Sequence, residues 1–267
     1  TTASDAMLPH ITQALERGGA VVMSNKKSLA GKSRDFDMLH RLGGQRLLYE
    51  TTVGAGLPVI STLKTLLLTG DVVTRIQGCL SGTLGFIFSE LDKGSLFSAA
   101  VLEAKARGYT EPDPRDDLAG TDVARKALIL ARLLGRNLEL RDIPTQALYP
   151  KTMQDISKDE FLARLPELDH DYKGKLDRAR RQGQVLRFVA TVEASACRVG
   201  LEAVDKTSDA GVLSGADSLI VISTERYNQT PLVVKGPGAG LAVTAAGVFG
   251  DVLAAARILA AQTDGVA

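Results

Sequence analysis

From residue 184 onward the hydrophobic period of the chain shortens from helical to extended, and this change constrains the fold more than any other feature. QVLRFVATVEA, ACRVGLEAV, DSLIVISTERY and PLVVKG are β-rich runs separated by polar or glycine-containing turns, which predicts an antiparallel sheet. The opening of the chain behaves differently. DAMLPHITQALER, residues 5–17, has helix-like spacing stopped by a Gly-Gly pair, and AVVMSN, 20–25, reads as a short buried strand. GKSRDFDMLHRLGG then reads as a second helix and QRLLYETTV, 45–53, as a second strand. Helix, strand, helix, strand predicts a parallel sheet with covering helices.

The middle of the chain joins these two regimes. GAGLPVISTLKTLLLTGD predicts a glycine-rich turn entering an apolar helix, with Pro58 permitted near its first turn. VVTRIQGCL is a candidate strand, and SGTLGFIFSELDKG and SLFSAAVLEAKARG are candidate helices. DVARKALILARLLG, 122–135, is the clearest helix: Val123, Ala127, Leu130 and Leu134 make an apolar face, Asp122 lies at its start and Gly135 closes it. LYPKTM to KLDRAR is expected to be polar with one short helix, and KTSDAGVLSGA too small and polar to form core. AAGVFGDVLAAARILA predicts a helix of small residues returning to the first piece.

Bulk charge removes several function classes. Thirty-two Lys and Arg against 31 Asp and Glu leave a net charge of +1, so no overall field steers the chain toward nucleic acid or an anionic membrane. The basic run ARRQGQVLR, 179–187, reads as a solvated helix end. No apolar run is expected to reach the 18 residues of a membrane span. The two cysteines, Cys79 and Cys197, have no CxxC or Cys-His spacing, which argues against a disulfide framework or structural zinc and fits a reducing compartment. His10, His40 and His170 are dispersed, and no HExxH, GxSxG, phosphate-loop or GxGxxG pattern occurs. Cys79 reads as a packing residue and not a nucleophile.

The candidate chemistry concentrates in GYTEPDPRDDLAGTDVARK, 108–126. Helix positions four apart share a face, so Asp122 and Lys126 project together while Arg125 points elsewhere. Two readings stay open. A solvent-exposed pair is worth a few tenths of a kcal/mol; on the buried side of so apolar a helix, the same pair needs polar partners in a cleft and is able to exchange a proton there. Glu111 precedes Pro112 and Pro114, which restrict the backbone about Asp113, although an ordinary acidic turn has the same composition. Arg115, Asp116 and Asp117 read as a charged loop capping the coming helix. Asn25-Lys26-Lys27 follows a strand, where the ligand crevice of open α/β sheets lies; the alternative is a solvent-facing loop. The glycines of ETTVGAGLP, 50–58, and GPGAG, 236–240, permit backbone shapes that expose amides or carbonyls to an ion.

Taken together, NKK after a strand, YETTVGAGLPVI, QGCLSGTLGFIFSEL, GYTEPDPRDDLAGTDVARK and VVKGPGAG followed by VTAAGVFGD resemble homoserine dehydrogenase, in that family's order and across essentially the whole chain. GPGAG with STERYNQTPLVV resembles especially the dehydrogenase part of bifunctional aspartokinase/homoserine dehydrogenases. The resemblance implies an α/β fold: a partial Rossmann-like nucleotide-binding domain plus an α+β substrate and dimerisation domain with an antiparallel or mixed sheet. The expected segments are 1–53 for the nucleotide-binding part, 54–235 for the catalytic and dimerisation part, and 236–267 returning to the first.

The activity implied is reversible reduction of L-aspartate 4-semialdehyde to L-homoserine with NADPH or NADH, on the route to threonine and methionine. Lys126 then corresponds to the lysine that protonates the aldehyde oxygen, Asp122 orients it, and Glu111 binds the substrate amino group. Lys26 lies near the reacting carbon and the nicotinamide, and Gly108, Gly238 and Gly240 approach the cofactor. Glu50, Val53, Ala55 and Leu57 match a monovalent cation site, for Na+ or K+, made mostly of backbone oxygens. A homodimer or higher oligomer is implied, in the cytoplasm or, for a photosynthetic eukaryote, the plastid. One departure stands out: the strand, GxGxxG-type turn and helix that open the family's nucleotide domain are missing. That leaves an alternative, an inactive truncated fragment or scaffold without cofactor binding. An oxidoreductase using a catalytic cysteine lacks a convincing cysteine context here.

Overall fold

The computed structural model describes residues 6–264, so Asp5, the first residue of the helix predicted over 5–17, lies outside the described residues. Helix α1 (Met7–Glu16) leads to β1 (Val21–Val22), α2 (Ser33–Gly43) and β2 (Leu47–Leu48). The two strands pair in parallel, Val21 opposite Leu47 and Val22 opposite Leu48. Arg46 ties the helix ends to this pair, donating to the carbonyls of Leu15, Gly19 and Leu42 at 3.0, 2.8 and 2.8 Å.

Both strands are shorter than the expected 20–25 and 45–53. The second ends because the Tyr49 carbonyl accepts from both the backbone N–H and the hydroxyl of Thr52 (3.1 and 2.8 Å), turning the chain into the short helix α3 (Thr51–Gly54). Next comes α4 (Val59–Leu68), whose first turn is capped from ten residues upstream: the Glu50 carboxylate accepts from Ile60 N at 2.6 Å and Ser61 N at 2.9 Å.

The remaining elements are β3 (Val73–Cys79), α5 (Gly82–Asp92), α6 (Phe97–Ala106), α7 (Arg115–Leu118), α8 (Thr121–Leu133), α9 (Lys158–Arg164), α10 (Asp169–Arg181), β4 (Gln184–Glu193), β5 (Cys197–Asp205), β6 (Asp217–Thr224), β7 (Leu232–Pro237) and α11 (Leu241–Asp264). Strands β3 to β7 form one antiparallel five-stranded sheet in the order β5-β4-β3-β6-β7. The sheet predicted after residue 184 is therefore completed by VVTRIQGCL, which supplies its central strand. Leu186, Phe188, Ala190, Val192, Ile220 and Ile222 pack with α5, α8 and α10 in the main core. Cys79, Val189 and Leu219 form a second cluster with Leu213 of the β5–β6 loop, so that loop does contribute to the core.

Three further expectations change. Helix α8 is buried all round, from Val123 and Ala124 through Lys126 to Arg132, where one apolar face was expected. It is the central helix of the fold. The stretch from 148, expected to be polar with one short helix to 180, holds α9 and the 13-residue α10, because Leu168, Tyr172, Leu176 and Ala179 recur at helical spacing and are buried. Helix α11 is long and apolar enough to cross a membrane: residues 241–262 have a mean hydropathy of 1.6. Valines, leucines, Ile258, Phe249 and the many alanines set that mean around two charged residues, Asp251 and Arg257. The Asp251 carboxylate accepts from Glu50 N at 2.9 Å, which docks α11 onto the α3 turn.

Gly120 starts α8 with φ +70°, and a Cβ there would lie 2.6 Å from Cζ of Phe188 on β4. Gly120→Ala therefore combines left-handed strain with a clash that displaces the end of α8 bearing Asp122. We expect a loss of about 2–3 kcal/mol, read as a lower urea midpoint at unchanged m. An unaltered midpoint would contradict this packing.

Candidate active site

A cleft of about 1070 Å³ opens where the start of α8, the β3–α5 junction, the 108–117 loop, Lys26 and the Pro237–Gly240 turn converge. Each wall has a local cause. Ser81 caps α5 through its hydroxyl, which accepts from Leu84 N at 3.2 Å, and this turns the Leu80 carbonyl toward α8. Gly238 brings β7 tightly against β6: a Cβ there would lie 1.7 Å from Ser218 Oγ. The Pro237–Gly240 turn thereby lies along this end of the cleft with Ala216 and Asp217.

At the cleft floor the Lys126 ammonium donates to the Leu80 carbonyl at 2.6 Å and pairs with Asp122 Oδ2 at 3.0 Å. Lys26 Nζ pairs with the other oxygen, Asp122 Oδ1, at 3.1 Å. One carboxylate is thus shared by two ammonium groups from different parts of the chain, and Lys126 keeps one donor hydrogen beyond its two acceptors. Lys126 is 9% exposed, while the Asp122 side chain retains 48% of its surface because it faces the open cleft.

Burial lowers the Lys126 pKa below the ordinary lysine value. Asp122 opposes that effect and Lys26 reinforces it. Burial opposes ionisation of Asp122, but the two lysines outweigh it and hold its carboxyl below the usual range. The arrangement is an amine biased toward releasing its proton, next to a carboxylate held ionised.

The cleft collects most of the residues singled out above. Lys26, Gly108, Glu111, Asp122, Lys126, Gly238 and Gly240 all line it. Gly108, with φ +72°, ends α6 and turns the chain into the acidic loop. Glu111 is exposed at the wall, and its backbone N–H donates to Asp117 Oδ2 at 2.8 Å.

Asp117 corrects the reading of Arg115–Asp117 as a capping loop. It lines the cleft, and desolvation raises its pKa against hydrogen bonds from the Glu111 backbone and the Thr83 side chain. Arg115 braces the loop: it chelates Asp113 at 2.6 Å and donates to the carbonyls of Gln154 and Ile156 at 2.9 and 2.6 Å. Sequence reasoning missed Asp117, Thr83 and Tyr109 as cleft residues. Asp117 turns inward because Leu118 is fully buried, and an isolated DDL triplet carries no sign of that.

Glu50, Val53, Ala55 and Leu57 do not line this cleft; they gather in the α3 turn beneath α11. The Glu50 carboxylate is occupied by the α4 cap, and the Leu57 carbonyl accepts from Val59 N at 2.8 Å. Ala55, at φ +53°, is the one non-glycine residue with positive φ among the described residues. No group of three or more His, Cys, Asp or Glu suited to a metal occurs among the described residues, so an ion in this turn would rely on main-chain oxygens. Cys79 and Cys197 are buried free thiols, and burial pushes each up to about 11.

A family model for homoserine dehydrogenase matches residues 58–253. The chain is 47% identical over 268 residues to a chloroplastic bifunctional aspartokinase/homoserine dehydrogenase from Daucus carota, covering 98% of this chain but 29% of the carrot protein. The chain thus spans under a third of the length of that relative. A crystal structure of a Candida auris protein of unknown function superposes with TM-score 0.92 at 36% identity, over 96% of this chain and 75% of that one. A hyperthermophilic archaeal homoserine dehydrogenase in complex with NADPH superposes with TM-score 0.72 at 26% identity, over 96% of this chain and 70% of that one. The family match contains the acidic loop, α8 and the whole five-stranded sheet, and by it the chain belongs to the homoserine dehydrogenase family.

Proposed function

We propose that the cleft interconverts L-aspartate 4-semialdehyde and L-homoserine by hydride exchange with NADPH or NADH, as the dehydrogenase part of a bifunctional aspartokinase/homoserine dehydrogenase. The observation that carries this reading is the Lys26–Asp122–Lys126 array at the cleft floor. Hydride addition to a carbonyl builds negative charge on its oxygen, and the remaining Lys126 N–H both stabilises that charge and supplies the proton. In the reverse direction the neutral amine takes the hydroxyl proton. Asp122 orients the amine, and the Leu80 carbonyl fixes its second bond.

Glu111 and Asp117 give the cleft lining two carboxyl groups suited to a substrate ammonium. The nicotinamide cofactor, when bound, carries the hydride. Lys26 and the glycines Gly108, Gly238 and Gly240 of the lining suit the close approach of a flat ring. A Na+ or K+ ion held by main-chain oxygens of Glu50, Val53, Ala55 and Leu57 would stiffen the α3 turn on which α11 rests.

The sheet face opposite the helices suits a second copy of the chain. It bears the partly buried Val204 and Val221, at the margin of the Cys79–Val189–Leu219 cluster that Leu213 covers, beside a row of alternating charges, Arg75, Glu193, Arg198 and Glu202. Two buried free thiols suit a reducing compartment, cytoplasmic or plastid.

Lys126→Ala is expected to lower kcat for homoserine oxidation by about 10²-fold or more, as for loss of a positioned acid-base group. An unchanged rate and pH profile in the protein as encoded would reject the proton route. Oxidation needs neutral Lys126, so its rate should rise with pH along a limb lying below the ordinary lysine value of about 10.4. Asp122 raises the Lys126 pKa, so Asp122→Asn should move that limb to lower pH. For the paired sheets, Val221→Asp should convert a dimer to monomers in sedimentation equilibrium; a dimer that persists places the contact elsewhere.

A further inference from the structure

Helix α8 carries a second buried cation. Arg132 lies six residues beyond Lys126, is 4% exposed, and is not among the cleft residues. Its guanidinium reaches across to the loop that follows β1, donating to the carbonyls of Leu29 and Gly31, both at 2.7 Å. It also holds the Leu138 carbonyl from Nε at 3.0 Å and from a terminal nitrogen at 2.8 Å, and pairs with Glu139 at 3.1 Å. The other Glu139 oxygen accepts from Ser33 N, the first residue of α2, at 2.9 Å.

Those contacts close a ring through the active site. The N–H groups of Leu29 and Ala30 donate to the Lys26 carbonyl at 3.1 and 2.8 Å. Lys26 Nζ reaches Asp122, back on α8. The loop carrying Lys26 is therefore pinned to one helix at two points, Asp122 and Arg132, ten residues or about 15 Å apart along the axis. A helix serves as a rigid ruler between them. The planar fork of arginine is required because the held groups are carbonyls at several directions, which a lysine point charge cannot bridge together.

We propose that Arg132, with Glu139, is a positioning residue: it holds the Lys26 loop on α8 and thereby sets Lys26 against the carboxylate that orients Lys126. This inference rests on the reading of Lys26, Asp122 and Lys126 as the reacting array. The charged groups facing Lys126 are Asp122 and Lys26, and those facing Arg132 are Glu139, Asp35 and Asp37. Loosening the clamp withdraws Lys26, removes its repulsion from Lys126 and leaves Asp122 to one partner.

The test is a double-mutant cycle of Arg132→Lys and Lys26→Met, read by kcat/KM for homoserine oxidation, the position of its alkaline limb, and the thermal midpoint. With Lys26 present, Arg132→Lys should lower kcat/KM about tenfold or more and move the limb to higher pH. With Lys26 replaced, Arg132→Lys should change neither, while the fall in thermal midpoint is the same in both backgrounds. An equal loss of kcat/KM with and without Lys26, or an unmoved limb, overturns the proposal. Glu139→Gln, which keeps an oxygen for Ser33 N, should reproduce the limb shift if Arg132→Lys fails to fold; no shift counts against the clamp.

Should the unsubstituted protein not oxidise homoserine, the functional reading fails but the clamp remains testable. Reductive methylation of the folded protein across pH, resolved by mass spectrometry, reads Lys26 and Lys126 directly. Faster labelling of Lys26 and a raised Lys126 titration in Arg132→Lys support the clamp, and unchanged labelling of both lysines overturns it.

Discussion

A lysine ammonium inside the central helix is the constraint from which the rest of the architecture follows. Desolvating a charge is costly unless it is paired and hydrogen-bonded, so Lys126 requires an acceptor from outside its own helix as well as Asp122 one turn away. The Leu80 carbonyl supplies it, and a carbonyl can be brought there only because β3 ends at Cys79 and Ser81 starts α5 immediately afterwards. The central strand of the large sheet is therefore also the element that completes the amine's coordination. Packing and chemistry meet at a single backbone oxygen.

Several loops in this protein are held by arginine in preference to apolar packing. Arg46 gathers three carbonyls at the ends of α1 and α2, and Arg115 joins the acidic loop to residues 154 and 156. Arg187, 4% exposed, pairs with Asp92 at 2.7 Å and donates to the carbonyls of Ala210, Gly211 and Leu213. That contact seats the β5–β6 loop just before Ala216 and Asp217 enter the cleft. A guanidinium gives several loop carbonyls fixed directions, which an apolar contact does not. Cleft walls built from loops consequently gain the directional restraint that their few apolar residues cannot provide.

How much of this was legible in the sequence differs from element to element. Helix α8 was plain, because Asp122, the apolar repeat and Gly135 agree at every level, and the four late strands were marked by their turns. The end of β2 was not, since the Thr52 hydroxyl and the Tyr49 carbonyl that turn the chain leave no periodic trace. α10 was hidden by its charge: Asp, Lys and Arg fill the exposed face, and its apolar stripe is sparse. The Asp122–Lys126 pair was visible as spacing, whereas Asp117 was not visible as a cleft residue at all.

The sequence by itself determined local facts: that α8 is helical and the four late runs extended, that Asp122 and Lys126 share a face, and that glycines occupy positions 108, 120 and 238. These depend on backbone propensity and on side chains a few residues apart. Tertiary structure alone decided that α8 is central, that β3 joins strands formed from the end of the chain, and that Lys26 meets Asp122 across a gap of nearly a hundred residues. It also decided which charges are buried, and hence that the Lys126 amine releases its proton more readily than an ordinary lysine. Solvation and Coulomb interaction depend on distances in space, and spacing along the chain carries no record of them.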